Sequence, residues 1–133
     1  MSKPKVKWLD RTLIAGPCLT LCTSEAEYDK VVAQYLDGNP YPWVMREGWS
    51  ATHQLVHPKT GDMVCIVCCD ISVTHTPESW AAAMAHEAVH VWQHYIENIQ
   101  EEDPSPEFEA CSIQNITFNL THELFARLDR KDD

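Results

Sequence analysis

Met63-Val-Cys-Ile-Val-Cys-Cys-Asp-Ile71 decides the fold of this chain. The run is almost continuously apolar and rich in β-branched residues. It lacks the polar alternation of a strand that faces water on one side, so it predicts an interior strand covered on both faces. Helices must do the covering. Immediately before it, Pro58-Lys-Thr-Gly-Asp62 has the composition of a type I turn closed by a left-handed residue. Residues 51 to 57 and 63 to 73 therefore read as the two arms of a hairpin.

Working outward, residues 24 to 37 begin with a capping box, Ser24 and Glu27. They then carry Tyr28, Val31, Val32, Tyr35 and Leu36 at spacings of three and four, which is the pattern of an amphipathic helix. Gly38-Asn-Pro-Tyr-Pro42 ends it, because proline cannot continue a helix. On the other side of the hairpin, Thr76 and Pro77 have the character of a cap and a first helical residue. A helical pattern follows through Trp80, Ala83, Met84, Val91, Trp92, Tyr95 and Ile99, predicting a helix over 77–99. A proline-bearing acidic loop separates it from a last helix over about 106–127, with Ala110, Ile113, Ile116, Leu120 and Leu124 on its expected apolar stripe. The expectation is an α+β fold: a single domain over 1–133 with an N-terminal helix, a small sheet containing the hairpin, and two long C-terminal helices.

Charge narrows the function. Twenty Asp and Glu against 10 Lys and Arg give a formal net charge of -10. Binding to nucleic acid or to an anionic membrane through bulk charge needs the opposite sign. The opening residues carry no apolar run of signal-peptide length and no stretch approaches a membrane span, which predicts a cytoplasmic protein. The six cysteines, Cys18, Cys22, Cys65, Cys68, Cys69 and Cys111, are expected as buried reduced thiols, since a chain of this length does not need a disulfide framework.

Within the long helix stands His86-Glu87-Ala88-Val89-His90. Two imidazoles one turn apart project to the same side and can reach one ion, with zinc the default. The Glu between them lies a step round the helix, where it can take a proton without occupying a coordination position. Random placement of this chain's His and Glu would give roughly 0.03 such matches, so the motif is specific. His94 lies two turns from His86, about 12 Å along the axis, too far to share an ion. A catalytic zinc needs a third protein ligand and an open fourth position. Glu107 and Glu109, at the start of the last helix, are the candidates. Periodicity puts Glu109 nearer the centre of the apolar stripe, whereas a ligand belongs at the rim of the core facing a cleft, which favours Glu107.

H-E-x-x-H followed by a helix that starts E-x-E-A resembles the gluzincin metallopeptidases over about residues 76 to 121. The likeness is nearest to compact zincins such as the ImmA-type regulatory proteases of mobile elements and to small phage-encoded metallopeptidase-like proteins. The resemblance implies a zincin-like fold and a zinc ion held by His86, His90 and a Glu three residues before an Ala, here Glu107. It also implies hydrolysis of a peptide or protein substrate, with Glu87 as the general base. Many gluzincins carry an Asp four residues after the ligand Glu; this chain has Cys111 there, so the outer support of the histidines must come from elsewhere, and Asp70 is a candidate. The competing expectation is a non-catalytic binding or assembly protein that zinc stabilises, with Glu87 vestigial.

Overall fold

In a computed structural model of the chain, the elements run β1 (Trp8–Asp10), β2 (Cys18–Cys22), α1 (Glu25–Tyr35), β3 (Ser50–Val56), β4 (Met63–Cys69), α2 (Pro77–Ile99) and α3 (Pro106–Lys131). The structure describes residues 8–10, 18–35, 42–44, 48–56, 61 and 63–131. Contacts divide the chain into two compact units, Met1–Ile71 and Ser72–Asp133. The architecture is α+β.

The first unit holds a mixed sheet in the order β1-β2-β4-β3. Every side chain of β4 is buried, as its unbroken apolar run predicts. It lies between β3, paired antiparallel from Ser50↔Cys69 to Val56↔Met63, and β2, paired parallel from Cys18↔Val64 to Cys22↔Cys68. The hairpin is the expected one. Gly61 has a φ of 77°, the left-handed closing residue of the turn; the other expected turn residues, 58 to 60 and 62, lie outside the described residues. The strand is shorter than the sequence suggests: pairing stops at Cys69, and the Asp70 N–H donates to the Trp49 carbonyl at 2.7 Å before the chain turns toward α2.

The Ser24 hydroxyl caps α1 by accepting the Glu27 N–H at 3.2 Å, and the Glu27 carboxylate returns a bond to the Thr23 N–H at 2.7 Å. One first-turn donor, the Glu27 N–H, and the N–H just ahead of the cap are thereby satisfied. The helix buries Tyr28, Val31 and Val32 against Cys22, Leu55, Val64, Ile66 and Cys68, the last three being alternate residues on one face of β4. Trp43 and Val44 pack on the same cluster. His53 is a strand histidine: its Nε2–H donates to the Trp43 carbonyl at 3.1 Å, and its ring lies 5.0 Å from that of Tyr28. The remaining expected helical residues, Leu36 and Asp37, lie outside the described residues.

The second unit is an α-hairpin, with α2 at the expected bounds. The Thr76 hydroxyl accepts the Ser79 N–H at 3.2 Å, and Pro77 occupies the first turn where no N–H is needed. At the other end Gln100 adopts the left-handed conformation (φ 57°), so that its N–H and that of Glu101 close on Glu97 and Ile96 carbonyls. In α3 the buried stripe is Ser112, Ile116, Leu120, Glu123 and Leu124. This corrects the expected set: Ala110 is exposed and Ile113 only half-buried. The helix also runs on past Arg127 to Lys131. Burial of Glu123 is made tolerable by Arg127, whose Nε donates to it at 3.0 Å, and by Arg130 at 3.6 Å. No helix among the described residues is long and apolar enough to cross a membrane.

Candidate metal centre

The site is built on one face boundary of α2. Trp80, Met84, Glu87, Ala88, Val91, Trp92 and Tyr95 form its buried stripe. His86 is exposed and His90 half-buried, both lying to the solvent side of that stripe, while Glu87 between them is only 3% exposed. One turn of helix therefore presents two imidazoles outward and holds a carboxylate at the edge of the core. Ligand atoms of His86, Glu87 and His90 all lie within 4.8 Å of one another, a group of donors able to hold a metal ion.

The spacing of the two imidazoles tests the fit. Their Nε2 atoms are 3.2 Å apart and the rings cross nearly at right angles, 77°, with centroids 4.8 Å apart. Two nitrogens bound to a tetrahedral zinc at about 2.05 Å stand roughly 3.3 Å from each other. The separation of the pair is that of two imidazole nitrogens sharing one zinc ion. On the other side of His90, its Nδ1 lies 3.0 Å from Oε1 of Gln93.

The two acids expected from α3 go elsewhere. Glu109 accepts a hydrogen bond from the Trp92 indole N–H at 3.2 Å, and Phe108 meets the same indole edge-on at 5.1 Å. By helical periodicity Trp92 lies about 120° round α2 from His86 and about 160° from His90. The first turn of α3 is thus seated on the opposite flank of α2 from the histidines. Glu107 is exposed and lies on the side of α3 away from its buried stripe; its carboxylate accepts the Cys111 thiol at 3.4 Å. The structure gathers His86, Glu87 and His90, and does not bring Glu107 or Glu109 to them. Of the two acids, Glu109 is the one bonded to α2. Asp70 follows β4 in the first unit, with its backbone bound to Trp49.

The cysteines divide. Cys22, Cys65, Cys68 and Cys69 are buried thiols in no disulfide, as expected; the Cys18 side chain lies outside the described residues. Burial pushes the Cys65 thiol up to about 12 and also raises that of Cys68, the latter helped by its hydrogen bond with Cys22, its partner across the parallel pair. Cys111 corrects the expectation of uniform burial: it is exposed on α3, and its thiol is raised first by the bond to Glu107. Sequence reading missed Gln93, although a Gln three residues after a ligand His is the one local signal available, since residues i and i+3 are neighbours on a helix. Comparison with protein-family models, curated proteins and solved structures finds no match to this chain.

Proposed function

We propose that this chain is a zinc-dependent metallopeptidase in which His86 and His90 hold the ion and Glu87 is the general base. The observation that carries the reading is the 3.2 Å Nε2 pair with the Glu87 carboxylate gathered beside it. Zinc at such a pair acts as a Lewis acid that polarises a carbonyl oxygen and makes water a better nucleophile. His86 and His90, on the solvent side of the α2 stripe, would hold the ion. Glu87, held at the edge of the core, accepts the proton of the attacking water on a carboxylate oxygen and returns it to the leaving amine nitrogen. Glu107 remains the third ligand suggested by the gluzincin resemblance, and to serve it must release Cys111 and move from its present flank.

The competing reading, zinc as a structural staple in a binding or assembly protein, gains nothing from this geometry. A structural ion stabilises by tying separated segments together. Two ligands one turn apart on α2 constrain only α2. For the substrate, a peptide is what the gluzincin resemblance implies.

Glu87→Gln tests the role directly. The amide cannot accept the proton, so zinc binding is retained while cleavage of a peptide library falls by about 10²- to 10⁴-fold. Equal cleavage by variant and parent would remove Glu87 from the mechanism. Glu107→Gln and Glu109→Gln compared for zinc affinity decide the third ligand: a loss of an order of magnitude or more marks it.

A further inference from the structure

We propose that Gln93 is a positioning residue for His90, fixing its ring in the tautomer that a metal ion requires; this rests on the metal reading above. The amide oxygen of Gln93 lies 3.0 Å from Nδ1 of His90. An amide oxygen only accepts, so the imidazole must donate there: the ring proton sits on Nδ1. Nε2 of His90 then carries a bare lone pair, 3.2 Å from Nε2 of His86. That lone pair is what a metal ion binds.

An asymmetry between the two ligands follows. Where the 3.2 Å contact between the two Nε2 atoms is a hydrogen bond in the metal-free chain, the donor is His86, because His90 has none to give. His86 therefore carries its proton on Nε2 when no metal is present. Before it can ligate, it gives that proton to water and takes one on Nδ1, so that its net protonation is unchanged. His90 is set in advance, and His86 is the ligand that rearranges. Gln93 achieves this without adding charge, since a neutral acceptor orients the ring and leaves the charge of the centre to the ion and Glu87. Its position three residues on from His90 makes the contact local to α2, and its own exposure makes it replaceable without loss of packing.

The test uses the full chain, labelled with ¹⁵N and free of metal, at mildly alkaline pH. Long-range ¹H–¹⁵N spectra report which ring nitrogen of His90 is protonated, and the same samples are titrated with Zn²⁺. The expected result is an Nδ1–H tautomer in the parent. In Gln93→Leu the proton should redistribute toward Nε2 and zinc affinity should fall about tenfold, as loss of an outer partner of a ligand His does. Both Gln and Leu are good helix formers, and circular dichroism checks that α2 is intact. Gln93→Glu should restore the Nδ1–H tautomer and the affinity. An Nε2–H tautomer at His90 in the parent, or an unchanged zinc affinity in Gln93→Leu, overturns the role of Gln93 while leaving the metal centre in place. A parent chain that holds the Nδ1–H tautomer yet binds no zinc overturns the metal reading, and the positioning role with it.

Discussion

Adding Zn²⁺ should raise the melting temperature of the parent chain and leave a chain without His90 unmoved. An ion that binds only the folded state stabilises by RT ln(1 + [L]/Kd), about 2.7 kcal/mol at a hundred times Kd. The conversion to temperature depends on how much of the chain melts together. With an unfolding entropy of roughly 2.1 cal/mol/K per residue, 2.7 kcal/mol moves the midpoint of the whole chain by about 10 °C. If Ser72–Asp133, which holds both histidines, melts as a separate unit of about 60 residues, the same energy moves that unit by about 20 °C and leaves the Met1–Ile71 transition where it was. Calorimetry with and without zinc, on parent and on His90→Ala, measures both quantities. The variant has the same six cysteines, so zinc captured by the unfolded chain cancels in the comparison. No shift in the parent at millimolar zinc, or an equal shift in His90→Ala, would refute the argument from the 3.2 Å bite.

Burial holds the Cys65 thiol at about 12 against an ordinary 9.0, so the folded state keeps a proton that the unfolded chain sheds. The resulting stability is fully present below pH 9 and is lost at up to about 1.4 kcal/mol per unit as pH rises toward 12; urea unfolding at about pH 8 and about pH 10 should show the loss, and Cys65→Val should lessen it. Peptide mapping after brief alkylation should find Cys111 modified and Cys22, Cys65, Cys68 and Cys69 untouched, in keeping with their burial. Leu120, fully buried on the α3 stripe, should cost about 2 to 5 kcal/mol when replaced by alanine. Phe118, 66% exposed on the same helix, should cost no more than about 0.5, and denaturant midpoints compare the two.

What the sequence made legible was local. The bounds of α2 were readable because Thr76, Pro77 and a stripe of large apolar residues all belong to one continuous segment. The His86-Glu87-His90 group was readable for the same reason, since helical geometry alone brings i and i+4 together. β2 was not: Cys18-Leu-Thr-Leu-Cys22 is too short for periodicity to identify, and its partner β4 is reached only across α1 and β3. Nor was the burial of Glu123, because a carboxylate between Leu120 and Leu124 is acceptable inside only when Arg127 reaches it, and the sequence does not show that Arg127 turns inward. The fate of Glu107 and Glu109 depended on the rotation of α3 about its axis. Ala110 and Ile113 have the apolar character of stripe residues, yet the buried positions are Ser112 and Glu123.

That both imidazoles stand on a single turn of α2 has a consequence for the order of folding. Starting a helix is its most costly step, because several residues must be fixed for the first hydrogen bond, with a nucleation factor of about 10⁻³. A cation bridging His86 and His90 fixes one such turn directly, near the middle of Pro77–Ile99, before any contact with α3 is needed. The helix can then grow outward from the bridge toward the Thr76 cap at one end and Gln100 at the other. Zinc present during refolding should therefore speed the formation of α2.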